Sequence, residues 1–141
     1  MMEPLISAKD LKKNFGHVEA LKGVSLDVAE GEKVVVIGPS GSGKSVLIRC
    51  MNALERPDSG ELTVDGMDLM ARKVDSRALA SRVAMVFQGY NLYPHKTVLE
   101  NVTFAPEKVL KVPAAEAKAR ALEYLERVGL TSKLDKYPDQ L

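Results

Sequence analysis

The hydrophobic pattern in the first third of the chain predicts β-strands. Residues 5–15 carry apolar side chains at scattered positions, which predict an exposed antiparallel strand. Residues 21–28 alternate apolar and polar side chains, as is typical of a half-buried strand. Residues 34–37 are all apolar and rich in β-branched side chains, which indicates a strand buried on both faces. We expect strands 21–28 and 34–37 to pair as a hairpin across the turn at Glu30-Gly31.

The pattern then changes to helical spacing. A broad set of apolar positions predicts a helix that lies against strand 34–37; they are Val46, Leu47, Ile48, Cys50, Met51 and Leu54. Turn residues occupy positions 56–60, and residues 61–64 predict a short strand. Asp65-Gly66 is a dipeptide favoured in hairpins, so the sheet in this region is expected to be antiparallel.

A second fully apolar segment, residues 83–87, also predicts a buried strand. A helix over residues 76–81, capped by Asp75, should precede it. The segment runs directly into Gln88, so a polar side chain lies at the carboxyl edge of the sheet, where open α/β folds bind ligands. The residue by itself is equally compatible with an ordinary polar strand end.

Helices dominate the last third of the chain. Thr97 and Glu100 have the spacing of a capping box and predict a short helix that Pro106 ends. Pro113 is expected at the first position of a longer amphipathic helix. Gly129 has the position of the residue that follows its C-cap.

The candidate functional segment lies between strand 34–37 and the first helix. Gly38-Pro39-Ser40-Gly41-Ser42-Gly43-Lys44-Ser45 matches the pattern G-x-x-x-x-G-K-[ST] in a strand-turn-helix context. The glycines allow the backbone N–H groups to form a concave nest that opens onto a helix N-terminus, which favours an anion. The pattern predicts a di- or triphosphate ligand, with Lys44 at its β/γ-phosphates and the Ser45 hydroxyl on the accompanying Mg²⁺.

Composition narrows the functional classes. The 141 residues include 20 basic and 19 acidic side chains, a net charge of +1 that gives no global field for nucleic-acid binding. The single cysteine, Cys50, excludes an internal disulfide and a cysteine metal site. The amino terminus has no signal-peptide pattern, and no apolar run is long enough to span a membrane. We expect a cytoplasmic α/β domain that does not bind nucleic acid.

Three long segments resemble the ATP-binding subunits of ABC transporters. They are NFGHVEALKGVSLDVAEGEKVVVIGPSGSGKS, RCMNALERPDSGELTVDG and MVFQGYNLYPHKTVLENVTFAP. The last residues are YPDQL; in the family the LSGGQ signature motif directly follows such a Tyr-Pro-x-Gln stretch, and Leu141 would be its first residue. The segments are most similar to the subunits that drive bacterial importers of polar amino acids. The resemblance implies an α/β fold with a P-loop NTPase core of the ABC ATPase type. Residues 1–88 would form the antiparallel β and P-loop core, and residues 89–141 the Q-loop and the start of a helical subdomain.

The resemblance also implies roles for individual residues. Phe15, which could otherwise be a core residue, would stack on adenine. Gln88 would be the Q-loop glutamine, contact Mg²⁺ and the attacking water, and act in catalysis together with Lys44. Residues 38–46 would bind the nucleotide, and Ser45 would share the metal with Gln88. Residues from Tyr90 to Asn101 would receive the membrane permease.

The chain departs from the family at several points. Val46 stands where a threonine usually follows the metal-ligating hydroxyl, so a hydrogen bond to the α-phosphate is expected to be lost. Gly89 and Lys96 also differ from many relatives. The LSGGQ signature motif, the Asp-Glu carboxylates and the switch histidine are not among the 141 residues, and neither His17 nor His95 takes that place. We therefore expect a truncated, amino-terminal part that binds nucleotide but is inactive alone.

The family strands that would separate segments 34–37 and 83–87 are likewise not among these residues. Both segments would then have unpaired edges, and we expect the isolated chain to aggregate. The expected function is ATP binding and, in the full-length protein, ATP hydrolysis that energises import of polar amino acids. The subunit would be a homodimer, peripheral on the cytoplasmic face of the inner membrane. The alternatives are an ABC ATPase for another substrate class, a P-loop kinase, which shares only residues 38–45, and a nucleotide-binding module without turnover.

Overall fold

The computed structural model describes residues 3–141, which form two compact units. One unit ends at Met85, and the other comprises Val86–Leu141. The first contains a sheet and two helices, whereas the second is helical. Among the residues described, no helix is long and apolar enough to cross a membrane.

The first unit is organised around a four-stranded antiparallel sheet. Its strands are β1 (Ile6–Phe15), β2 (Val18–Val28), β3 (Ser59–Val64) and β4 (Met67–Asp68), in the spatial order β2-β1-β3-β4. Phe15 faces Val18 across the tight turn between β1 and β2, and Ile6 faces both Val28 and Val64. The predicted hairpin at Asp65-Gly66 is confirmed, since β3 and β4 pair directly across it.

Strand β1 is antiparallel to both of its neighbours, as predicted, but only about half of its residues are exposed. Ala8 and Leu11 on β1 are almost fully buried, because β2 and β3 flank the strand and its apolar side chains lie in the core. The alternation expected of residues 21–28 is present, with Val24 and Leu26 half-buried and Asp27 exposed. The scattered apolar pattern of residues 5–15 thus indicated a strand but not its place in the sheet.

Two helices pack in the first unit. Helix α1 (Lys44–Met51) buries Leu47 and Cys50, and helix α2 (Ser76–Ala80) buries Leu79. The Oδ1 atom of Asp75 accepts from the N–H groups of Arg77 and Ala78 at 3.0 Å, which confirms its predicted N-cap role. The buried core of this unit consists of Ala8, Leu11, Leu21, Leu47, Cys50, Leu62, Val64, Leu69 and Leu79.

Helix α1 is shorter than its apolar pattern predicts. It ends at Met51, and Leu54 lies beyond it with most of its side chain exposed. Ala53 takes a positive φ of 55°, which ends the helical path and turns the chain toward β3.

Both fully apolar segments lie outside the sheet, so the prediction of two buried strands is wrong, whereas the expectation that both segments have unpaired edges is confirmed for the described part of the chain. Residues 34–37 and 83–87 have no strand partner among residues 3–141, and Val35 and Ile37 are 81% and 87% exposed. The expected hairpin of β2 with residues 34–37 is therefore also wrong, because β2 pairs with β1 instead. An apolar run becomes a buried strand only where neighbouring strands satisfy its backbone and cover its faces.

The second unit packs two helices, α3 (Val98–Lys108) and α4 (Ala114–Arg127), followed by 3-10 turns at Thr131–Lys133 and Pro138–Gln140. The capping box is confirmed: Thr97 Oγ1 accepts from the Glu100 N–H at 3.2 Å, and Glu100 Oε2 accepts from the Thr97 N–H at 2.8 Å. The interior of this unit contains Val98, Thr103, Ala117, Ala121 and Leu125.

The two prolines of this unit do not lie where the sequence predicts. Pro106 lies inside α3 and does not end it: the Val109 N–H still bonds to the Ala105 carbonyl at 2.9 Å, so the helix continues past the bond that the proline cannot donate. Pro113 is the N-cap of α4 and not its first residue, since its carbonyl accepts the first helical bond from Ala117 at 2.9 Å.

The end of α4 has the geometry that Gly129 predicts. Gly129 takes a φ of 72°, its N–H bonds to the Glu126 carbonyl at 2.9 Å, and the Leu130 N–H bonds to the Leu125 carbonyl at 2.8 Å. This pair of bonds is a Schellman motif, so the prediction of the residue after the C-cap is confirmed.

Candidate phosphate-binding loop

The loop formed by residues 38–43 leads directly into α1. Gly43 is the N-cap of α1, with a φ of 92°, and no side chain in the described part of the chain caps this helix end. The first backbone N–H groups of a helix have no intrahelical acceptor, and they carry the positive end of the helix dipole. The loop therefore presents uncapped donors to any anion that enters it.

The tight approach of the loop to β2 explains why Gly43 is a glycine. A Cβ at this position would overlap the carbonyl oxygen of Ala20 on β2, and it would lie 3.3 Å from Leu21 Cδ2. Gly41 has a φ of 80°, but no atom of residues 3–141 would lie within 4 Å of a Cβ added there, so its requirement is conformational only. The loop backbone is thus held against β2 at the first turn of α1.

Lys44 folds back over this loop. Its Nζ donates to the carbonyl oxygens of Gly38 at 2.8 Å and Pro39 at 2.7 Å, and it lies 3.4 Å from Ser42 Oγ. All three partners belong to the loop itself, so the ammonium group is held at the loop that precedes α1. A phosphate that entered the loop would meet both the lysine and the helix N-terminus.

A cavity of about 160 Å³ opens at the loop. Its lining includes residues 41–46 together with Val18 and Ala20. The sequence did not identify Val18 and Ala20 as site residues, although their alternation along a strand after the Gly16-His17 turn could have placed both on one face. Ser45 contributes a hydroxyl to this lining, whereas Val46 contributes an apolar side chain that cannot donate a hydrogen bond.

Phe15 lies at the end of β1, opposite Val18, which lines the loop cavity. Its side chain is 47% exposed, so it is not a core residue. The Lys13 ammonium lies 5.1 Å from the centre of its ring. An exposed aromatic ring near the loop is available for stacking, and its contact with a base stays a prediction.

The Lys13 ammonium is the centre of an ion-pair cluster. It donates to the Arg56 carbonyl at 2.8 Å and lies 2.9 Å from Glu55 Oε1 and 3.5 Å from Asp58 Oδ1. The hydrogen bond to Glu55 raises the pKa of Lys13, while the backbone hydrogen bond from Asn14 lowers the pKa of Asp58. Both shifts favour the charged forms of the pair.

Gln88 belongs to the second unit, whereas the loop belongs to the first. It follows the segment that lies outside the sheet, and its side chain lies near the surface of the second unit. Its predicted contacts with Mg²⁺ and water therefore stay predictions.

The neighbouring segment, residues 90–101, is held by Asn101. The Asn101 Nδ2 donates to the carbonyl oxygens of Tyr93 at 3.1 Å and of Lys96 and Thr97 at 3.0 Å, and its Oδ1 accepts from the Tyr93 N–H at 2.8 Å. The Tyr93 ring packs on Phe104 with 5.0 Å between ring centres. Hydrogen bonds and ring packing therefore hold this segment in place, although its backbone is irregular.

Known proteins of one family are similar to this chain over most of its length, including the loop. A family model described as "ABC transporter" matches residues 21–141. The glutamine transport ATP-binding protein GlnQ of Geobacillus stearothermophilus is 48% identical over 137 residues, which are 97% of this chain and 57% of GlnQ. The glutamate/aspartate import ATP-binding protein GltL of Escherichia coli K12 is 49% identical over 137 residues, with the same coverage of 97% and 57%.

A solved structure agrees as well. The ATP-binding cassette MJ0796, whose dimer was determined with bound ADP and Pi, has a TM-score of 0.84 and 33% identity to this chain. The similarity covers 96% of this chain and 62% of MJ0796. The chain thus spans a little over half the length of the curated relatives it matches. From the match over residues 21–141 and the identity to these relatives, the chain belongs to the ABC transporter family and has the fold of its ATP-binding cassettes.

Proposed function

We propose that this chain binds MgATP at residues 38–46 and contributes to an ATPase subunit that energises the import of polar amino acids. The observation that carries the proposal is the uncapped N-terminus of α1, with Lys44 held over the loop and Gly43 pressed against β2. The amino acid class is supported by relatives named for glutamine and for glutamate/aspartate transport. The whole protein's hydrolysis and transport are part of the proposal.

The residues of the loop fit a polyphosphate. The N–H groups of the loop and of the first turn of α1 would donate to its oxygens, and Lys44 would exchange its loop carbonyl partners for the β/γ-phosphates. The Ser45 hydroxyl, which lines the loop cavity, would ligate Mg²⁺. When bound, MgATP supplies the phosphoanhydride and the metal's charge, and the protein groups bind and orient it.

Replacing Lys44 tests the phosphate site. Lys44→Ala removes the ammonium group that the loop holds, so we expect MgATP affinity to fall roughly 10- to 100-fold, as for the loss of charge-assisted hydrogen bonds. Isothermal titration calorimetry at a low micromolar protein concentration measures the dissociation constant of MgATP. Lys33→Ala, a substitution of an exposed lysine outside the motif, is the control. Equal affinities for wild type and Lys44→Ala would contradict the proposal.

Phe15→Ala tests the base site separately from the phosphate site. Stacking on the ring involves only the base, so the substitution should weaken MgATP binding while magnesium tripolyphosphate binding stays nearly unchanged. Parallel losses for the two ligands would show that Phe15 supports the fold and does not contact the base.

Val46→Thr tests the departure from the family at the loop. A hydroxyl in the loop cavity would restore a hydrogen bond to the α-phosphate and tighten ATP about fivefold, the equivalent of about 1 kcal/mol. No gain would indicate that the loop backbone already satisfies that oxygen.

The proposal that the chain is part of an importer's ATPase subunit also implies its partners, the permease and a second ATPase subunit. In the assembled transporter, Gln88 would contact the Mg²⁺ and the attacking water, and residues 90–101 would receive the permease. The subunit would act as a homodimer on the cytoplasmic face of the inner membrane, and the dimer of MJ0796 supports the homodimer. Tyr93→Ala removes the ring that packs on Phe104 and should weaken permease binding in pull-down assays without changing ATP affinity. An unchanged pull-down would contradict this surface.

A further inference from the structure

The side chain of Lys13 differs from those of its lysine neighbours. Lys13 is only 13% exposed, against 49% for Lys12 and 66% for Lys9 on the same strand. Because side chains two apart on a strand share a face, Lys13 lies on the face of Phe15, and its Nζ is 5.1 Å from the ring centre. The sequence predicted no role for this residue.

The groups that hold Lys13 come from the chain that follows α1. Glu55 and Asp58 pair with its ammonium group, and the Arg56 carbonyl accepts from it at 2.8 Å. Asp58 is itself fixed to β1, since its Oδ2 accepts from the Asn14 N–H at 2.6 Å and its N–H donates to the Lys12 carbonyl at 2.8 Å. This cluster ties the segment after the phosphate-loop helix to the end of the strand that carries the aromatic ring.

We propose that Lys13 is a positioning residue that fixes the Phe15 ring for stacking on the nucleotide base. A cation over one face of a ring restricts its rotamers, and the ring remains 47% exposed for a ligand. Glu55 and Asp58 fix the ammonium group in turn, so the ring is ordered before the ligand arrives. The inference depends on the proposed nucleotide site and adds a residue to it.

The main test is Lys13→Gln, which keeps a donor for the Arg56 carbonyl and removes the charge over the ring. MgATP binding should weaken about two- to fivefold, the equivalent of an exposed cation–π contact, while magnesium tripolyphosphate binding is unchanged. Lys13→Arg should retain most of the affinity, since a guanidinium also stacks on aromatic rings. Lys12→Gln, on the other face of β1, is the matched control and should change neither affinity.

The two affinities separate the ways in which the test can fail. If wild type does not bind MgATP, the proposed function fails. If wild type binds and Lys13→Gln leaves the ratio of the two affinities unchanged, or lowers both equally, the positioning role is overturned. A double-mutant cycle adds a second criterion: in a Phe15→Ala background the effect of Lys13→Gln on MgATP binding should disappear, and an additive loss would contradict the proposal.

Asp58→Asn keeps the test decisive if Lys13→Gln does not fold. This variant retains the lysine and an oxygen acceptor for the Asn14 N–H but removes the charge that helps hold Lys13. A smaller loss of MgATP affinity, again without loss of tripolyphosphate affinity, is expected. An unchanged ratio in Asp58→Asn would overturn the role of the cluster.

Discussion

Substituting Gly43 by alanine should destabilise the first unit strongly. The φ of 92° at Gly43 is strained for any residue with a Cβ, which costs about 1–2 kcal/mol. The added Cβ also overlaps the Ala20 carbonyl oxygen, and displacing a packed backbone costs about 1–3 kcal/mol more. We expect a total loss of about 2–5 kcal/mol, a large part of the stability of a small domain.

Gly41→Ala is the matched control, because Gly41 also has a positive φ but none of the described residues would come within 4 Å of its Cβ. It should lose only the conformational part, about 1–2 kcal/mol. Urea unfolding followed by circular dichroism gives both free energies of unfolding by linear extrapolation. Losses that are equal within error would refute the steric argument, since the two variants differ in the contact with β2.

Three further outcomes are expected. Burial raises the pKa of the Cys50 thiol from 9.0 to about 11, so the stability due to the neutral thiol is present below pH 9 and is lost as the pH rises from about 9 to 11. The melting temperature of wild type should therefore fall relative to that of Cys50→Ala over this pH range. A difference between the two melting temperatures that does not change with pH would contradict this prediction. The hydrogen bond from the Thr97 N–H lowers the pKa of Glu100, so the stability that this carboxylate contributes is present above its ordinary pKa and is lost as the pH falls below it. The melting temperature of wild type should therefore fall relative to that of Glu100→Gln in acid. A difference in melting temperature that does not depend on pH would contradict this prediction. Lysines in place of the exposed Val35 and Ile37 should reduce self-association in light scattering, and unchanged scattering would refute the role of this segment.

The local signals in the sequence were reliable where nearby residues satisfy one another. Asp75, Thr97 with Glu100, and Gly129 each act through backbone groups within a few residues, and the structure confirms all three. The hairpin at Asp65-Gly66 depends on the turn itself and is likewise confirmed. Such features need no distant partner, so short segments of sequence suffice to predict them.

The local signals of Pro106 and Pro113 misplaced the end of α3 and the start of α4, but the larger failures concern long-range partners. Residues 34–37 and 83–87 have the composition of buried strands, but composition cannot supply the neighbouring strands that a buried strand requires. The same limit applies to β1, whose scattered apolar side chains gave no sign that β2 and β3 flank it. The pairing of β2 with β1, in place of residues 34–37, depended on which strand was available beside it.

The sequence by itself determined the spacing of the loop glycines, the lysine and the serine before a helix, and this spacing predicts an anion site. Only the tertiary structure decided how closely that loop approaches β2, where Gly43 lies against the Ala20 carbonyl. It also decided that Phe15 is exposed and that Lys13 lies over its ring, held by acidic groups from the distant segment after α1. The physical reason is that spacing along the chain fixes local backbone donors, whereas burial and ion pairing depend on segments that only folding brings together.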